Sequence, residues 1–137
     1  MIRRLLIFCL LFVWCAITNA QKADVIVLLD STSVKVKSLS YYSYEHHRKF
    51  MLMNSKNADL ANIVIGMDND TKLSRFEYVM TDILGNVLRK VKKSELQRFE
   101  YSRDLATDFY RLIAEVTPPS YPVIITRTEK VIRNEMC

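Results

Sequence analysis

The chain has 137 residues, 50% of them hydrophobic and 26% charged, which is the composition of a globular protein with an apolar core. Its formal net charge of +5 falls to +3 without Arg3 and Arg4, and neither value suits a protein that binds nucleic acid through a basic face. Outside the first twenty residues Cys137 is the one cysteine, so an internal disulfide is excluded for the rest of the chain.

The first twenty residues have the pattern of an export signal. Two arginines near the start precede an uncharged and mostly apolar run, residues 5–17, and small or polar residues then allow cleavage before Gln21. As a helix this run spans roughly 20 Å, which is short of the roughly 30 Å hydrocarbon core of a membrane. We therefore predict a cleaved signal helix at residues 1–20, no stable membrane span after cleavage, and one domain at residues 21–137.

Most of the remaining chain has the periodicity of strands. Val34 and Val36 alternate with Lys35 and Lys37, as they would in a strand with one buried face. Further apolar runs rich in β-branched residues occupy positions 24–30, 62–67 and 123–132. Short strands separated by frequent turns predict a mainly β protein, an antiparallel β-sandwich or one large antiparallel sheet.

The clearest local unit is a predicted hairpin. Phe76, Tyr78 and Met80 share one parity on its first arm, and apolar residues resume at Val87 on its second arm. Residues 82–86 between the arms include Gly85, which can adopt the positive φ that tight turns often require.

One segment has helical periodicity instead. Between Ser102 and Val116 apolar residues recur at spacings of four, three, one and three, and Ser102 or Asp104 could cap the first turn. The prolines that follow would end a helix. We predict one short helix at Ser102–Ala114, with a strand as the alternative.

The only two histidines, His46 and His47, are adjacent and lie in a predicted strand. Successive side chains of a strand point to opposite faces, so the two imidazoles could not bind one metal ion together. Zinc would also need further ligands, which a chain with a single late cysteine does not readily offer. We therefore predict no metal, cofactor or catalytic residues and a protein that is not an enzyme.

Three tyrosines, Tyr41, Tyr42 and Tyr44, fall in the same predicted strand. Exposed aromatic rings could form a stacking platform for a sugar or a peptide. An aromatic strand half buried against the core is the alternative. These three residues are the candidate binding face of the domain.

The order of short motifs resembles an exported domain of unknown function that precedes transglutaminase-like domains in secreted proteins of Gram-negative bacteria. The likeness covers Lys22 to Glu135. The motifs that carry it are Asp30, Arg48 with Asn54, Met67-Asp68 with Lys72-Leu73, Asp82 with Gly85, Lys92-Lys93 with Ser94-Glu95, and Tyr121-Pro122.

The resemblance implies a non-catalytic, β-sandwich-like module that is exported to the periplasm or the extracellular space of a Gram-negative bacterium. The catalytic residues of that family lie in the separate downstream domain, so none transfers to this chain. In the family a strand usually precedes the Tyr-Pro motif, whereas the residues before Tyr121 here read as a helix. The chain also ends at Cys137, where the family domain is about half complete.

That early end predicts a truncated domain with an open sheet edge at its last strand. Open edges pair readily with another strand, so the expected partner is a protein or a peptide that binds by strand pairing. The alternative from another class is a carbohydrate- or surface-binding, adhesin-like module that uses Tyr41, Tyr42 and Tyr44.

Overall fold

The protein is described by a computed structural model of residues 22–100 and 108–134. A short 3-10 helix occupies Ser55–Ala61, and a single 3-10 turn occupies Lys93–Glu95. The strands are β1 (Val25–Ser38), β2 (Tyr41–Leu52), β3 (Ile63–Asp68), β4 (Thr71–Asp82), β5 (Val87–Val91), β6 (Gln97–Glu100), β7 (Phe109–Ala114) and β8 (Val123–Asn134).

The strands form two antiparallel sheets. The larger sheet has five strands in the order β1-β2-β8-β4-β5, and the smaller has three in the order β3-β7-β6. This arrangement confirms the predicted mainly β, antiparallel fold. The predicted open edge at the last strand is wrong, because β8 lies between β2 and β4 and pairs with both of them.

One hydrophobic core receives side chains from both sheets. In the strands that contribute to this core, every second side chain points towards the core, because the side-chain period of a strand is two. The largest fully buried side chains are Leu52, Ile63, Met80, Val123, Ile125 and Val131.

The predicted hairpin is confirmed as β4 and β5. The carboxylate of Asp82 accepts hydrogen bonds from the N–H groups of Leu84 and Asn86, both at 2.9 Å, and so closes the turn. Gly85 has a φ of +89°, a conformation that a residue without a Cβ adopts at low cost.

The helix predicted at Ser102–Ala114 is wrong over the part that the structure describes, since Phe109–Ala114 is β7; residues 101–107 lie outside the described ranges. β7 pairs with β3 on one side and β6 on the other. Tyr110, Leu112 and Ala114 alternate along it and pack against the core. A strand pattern was therefore present within the helical stripe, and pairing on both sides selected it over local propensity.

The predicted signal segment, residues 1–20, also lies outside the described ranges. Within the part of the chain that the structure describes, no helix has the length and apolar character needed to cross a membrane.

Candidate functional site

Strand β1 is the longest strand in the described ranges, and almost all of it is exposed. Thirteen of its 14 residues are exposed, and within the described residues it pairs only with β2. The exposed set includes Val34 and Val36, with 58% and 71% of their surfaces accessible. We call the unpaired side of this strand the β1 edge. Long exposed edges with apolar side chains are the sites at which sheets accept another strand.

One hydrogen bond identifies which backbone groups of β1 point to this edge. The N–H of Met53 donates to the carbonyl of Asp24 at 3.0 Å, so these residues form a hydrogen-bonded pair of the antiparallel ladder. Such pairs alternate with non-hydrogen-bonded pairs along an antiparallel ladder. The bulge near the start of β1 adds a residue to β1 and none to β2, so counting along β2 preserves the alternation beyond it. Thr32 and Val34 fall in non-hydrogen-bonded pairs, so their N–H and C=O groups point to the β1 edge.

The inner face of β1 continues into an apolar patch on β2. Val34 pairs with Tyr44 and Val36 with Tyr42, and paired side chains lie on the same face of the sheet. We call these four residues the β1–β2 patch. Both tyrosines are half-buried, whereas both valines are exposed, so the core does not extend over the valines.

The two tyrosines of the patch are held by different surroundings. Burial raises the pKa of the Tyr44 hydroxyl above its usual value, with the Glu129 carboxylate adding to the rise. The Tyr42 hydroxyl accepts a hydrogen bond from the guanidinium of Arg133 at 3.5 Å. Both rings therefore lie at the edge of the core, and the exposed part of each ring is accessible to a ligand.

Tyr41 lies on the opposite face of the sheet from Tyr42 and Tyr44, because side chains alternate along β2. The Lys37 ammonium lies 5.1 Å from the centroid of its ring, which is the geometry of a cation–π contact. The structure thus brings two of the three candidate tyrosines together with two valines of β1, and it separates the third.

His46 and His47 lie on opposite faces of β2. His46 Nε2 is 2.6 Å from a carboxylate oxygen of Asp30 on β1, while His47 Nδ1 is 3.1 Å from the hydroxyl of Thr128 on β8. Each imidazole therefore links β2 to a neighbouring strand. Over residues 22–100 and 108–134 no group of three or more His, Cys, Asp or Glu side chains is placed to hold a metal ion.

A buried ion pair lies on the inner face of β8. Arg127 Nη2 is 2.5 Å from Glu129 Oε2 and also donates to the carbonyl of Val64 on β3 at 3.2 Å. The pair therefore ties the larger sheet to the smaller one. Glu129 Oε1 lies 3.8 Å from His46 Nδ1, so the same carboxylate extends the polar contacts to β2.

The contact between Asp30 and His46 predicts a pH dependence. The hydrogen bond from His46 holds the pKa of Asp30 below its ordinary value. A carboxyl whose pKa is lower in the folded protein stabilises the fold above its unfolded pKa of about 3.9, and this stabilisation is lost as the pH falls through the folded pKa. We expect Asp30→Asn to make the decline in stability below about pH 4 shallower, as measured by urea unfolding at a series of pH values.

His46→Gln removes the imidazole that lowers the pKa of Asp30 and should flatten the same part of the profile. Parallel profiles for the wild type and Asp30→Asn across the acid range would contradict this assignment.

Comparison with known proteins gives a likeness of fold. No protein-family model matches the chain, and no curated protein matches it. A solved structure described as "a putative protease from Parabacteroides distasonis ATCC 8503" matches with a TM-score of 0.65 and 11% sequence identity. The match covers 83% of this chain and 24% of that chain, so this chain spans about a quarter of the length of that structure. At this identity the likeness concerns the fold alone.

Sequence reasoning assigned the open edge to the wrong strand. The signal that could have identified β1 was its unusual extent, since residues 24–37 read as a continuous extended segment with charges at only a few positions. The aromatic residues were recognised, but their partners Val34 and Val36 were not, because cross-strand register is not visible in the sequence.

Proposed function

We propose that this protein is an exported, non-catalytic interaction domain that binds an extended segment of another protein by strand addition at the β1 edge. The observation that carries the proposal is a 14-residue strand with exposed apolar side chains, one side of which no strand of residues 22–100 or 108–134 pairs with. Main-chain hydrogen bonds to such an edge supply affinity, and side chains on alternate positions supply selectivity.

The other free edges are less suited to this role. Of the outer strands of the two sheets, β5, β3 and β6 have five, six and four residues. A segment added to β1 would also contact the β1–β2 patch, whose valines are not covered by the core. The resemblance to a module that accompanies transglutaminase-like domains supports an accessory role in the periplasm or outside the cell.

The carbohydrate-binding alternative has weaker support. A sugar platform built from Tyr41, Tyr42 and Tyr44 would need the three rings on one face, and Tyr41 lies on the other face. Tyr42 and Tyr44 alone leave a smaller aromatic surface that is already half-buried.

The test uses a proline at the edge. In Val34→Pro the lost N–H is one that points to the β1 edge, so the ladder between β1 and β2 keeps its hydrogen bonds. The chain is expressed with its own N-terminal segment, and a labelled peptide of about ten residues that alternates valine and threonine serves as the probe. We expect the wild type to bind the peptide in a fluorescence anisotropy titration and Val34→Pro to lose most of this binding.

Val34→Thr is the matched control, because it keeps the N–H and the β-branched shape, and it should still bind. Thermal unfolding followed by circular dichroism checks that both variants fold. If the folded wild type binds no peptide, or if folded Val34→Pro binds as well as the wild type, strand addition at β1 is wrong. Binding on a glycan array that Tyr42→Ala abolishes would favour the carbohydrate-binding alternative.

A further inference from the structure

The β1 edge has different chemistry on its two faces. On the outer face lie Ser31, Ser33 and Lys35, since they pair with residues of β2 that face away from the core. On the inner face lie Asp30, Thr32 and the two exposed valines of the β1–β2 patch. Near the valines, an added strand would therefore meet a polar, basic face and an apolar face at alternate residues.

Lys35 is the charge on the outer face that remains available to a partner. It is exposed and has no ion-pair partner among residues 22–100 and 108–134. The acid of β2 on the same face, Glu45, is engaged by Arg75 at 3.6 Å and by His47 at 3.5 Å. The neighbouring Lys37 is directed over the ring of Tyr41.

The acidic residue of the β1 edge, Asp30, already has basic partners within the protein. Asp30 lies on the inner face, where it contacts His46 at 2.6 Å and the guanidinium of Arg48 at 3.7 Å. The charge that the edge offers to an incoming strand is therefore positive, and it is offered on one face only. A carboxylate on the partner would complement it, whereas a second ammonium would oppose it.

Two bulges limit where an added strand can pair regularly. The register of β1 shifts between Val27 and Leu29 and again between Val36 and Ser38. Bulges twist an edge and interrupt its ladder, so regular pairing is confined to the stretch between them. Lys35 lies inside this stretch, next to Val34 and Val36.

From this arrangement we infer that the β1 edge selects extended segments that place a carboxylate side chain opposite Lys35 and apolar side chains at the adjacent, inward-facing positions. The inference rests on the proposed function and adds the chemistry of its partner: an acidic strand with alternating apolar residues.

The experiment compares two labelled peptides of about ten residues, one alternating valine with glutamate and the other valine with lysine. Each is titrated into the wild type, Lys35→Glu and Lys72→Glu, all as full chains. Lys72 is an exposed residue of β4, which β2 and β8 separate from β1, so its reversal changes the net charge equally without altering the edge.

We expect the wild type to bind the glutamate peptide about tenfold more tightly than the lysine peptide. Lys35→Glu should reverse this preference, while Lys72→Glu should retain it. The preference of the wild type should also weaken as the salt concentration rises, because exposed charge pairs are screened.

The outcomes separate the inference from the proposal on which it rests. Equal binding of the two peptides by the wild type, lost in Val34→Pro, would overturn the charge selectivity and leave strand addition standing. A preference for the glutamate peptide that persists in Lys35→Glu would also overturn it. Failure of the folded wild type to bind either peptide would overturn strand addition as well.

Discussion

Replacing Arg127 by methionine is expected to lower the free energy of unfolding by about 3–5 kcal/mol. The side chains of Arg127 and Glu129 are only 14% and 11% exposed, and the guanidinium also satisfies the carbonyl of Val64. Without the arginine, the carboxylate remains in a largely buried position without its closest cation. Urea unfolding, followed by circular dichroism of the backbone, measures the change.

The double variant Arg127→Met with Glu129→Leu tests the physical reason. Removing both charges leaves no buried ion uncompensated, so we expect the double variant to be more stable than Arg127→Met alone. If the loss of the double variant relative to the wild type instead equals the sum of the losses of Arg127→Met and Glu129→Leu, the two charges do not act as a pair.

The chain offers a matched control for this pair on β6. Arg98 and Glu100 have the same two-residue spacing and a contact of 2.8 Å, but more than half of each side chain is exposed. Exposed ion pairs contribute little because water and salt screen them. Glu100→Gln, which leaves the Arg98 guanidinium 3.7 Å from the centroid of the Tyr110 ring, should therefore change stability by less than about 1 kcal/mol. A loss as large as that of Arg127→Met would show that burial does not set the difference.

Ile125→Ala is expected to lower the free energy of unfolding by about 2–5 kcal/mol. Ile125 is fully buried on β8, the central strand of the larger sheet, where it pairs with Phe50 of β2 and Met80 of β4. Truncation removes apolar contacts and leaves a cavity between strands that are held on both sides. Chemical unfolding of the wild type and the variant measures the loss.

Ile83 provides the control, because it is exposed in the turn between β4 and β5. The same truncation there should change stability by less than about 0.5 kcal/mol. Similar losses at the two positions would contradict the assignment of Ile125 to the core.

Local sequence predicted the parts of the fold that local physics controls. The alternation of apolar residues predicted strands, and the run from Asp82 to Asn86 predicted the hairpin turn, where Asp82 and Gly85 fix the backbone by short-range contacts. The opposite orientation of His46 and His47 likewise follows from the period of a strand. Each of these features involves residues that are close in sequence.

The order of the strands, and with it the candidate site, depended on the tertiary structure. β8 is last in the chain but central in its sheet, and β1 is first in the chain and forms an edge. Phe109–Ala114 became a strand because β3 and β6 pair with its two sides. Pairing of this kind joins residues far apart in the chain, and its free energy depends on burial and partners that a local pattern does not specify. The sequence by itself determined that the domain is built from strands, whereas long-range pairing decided which strand lies at the edge of the larger sheet.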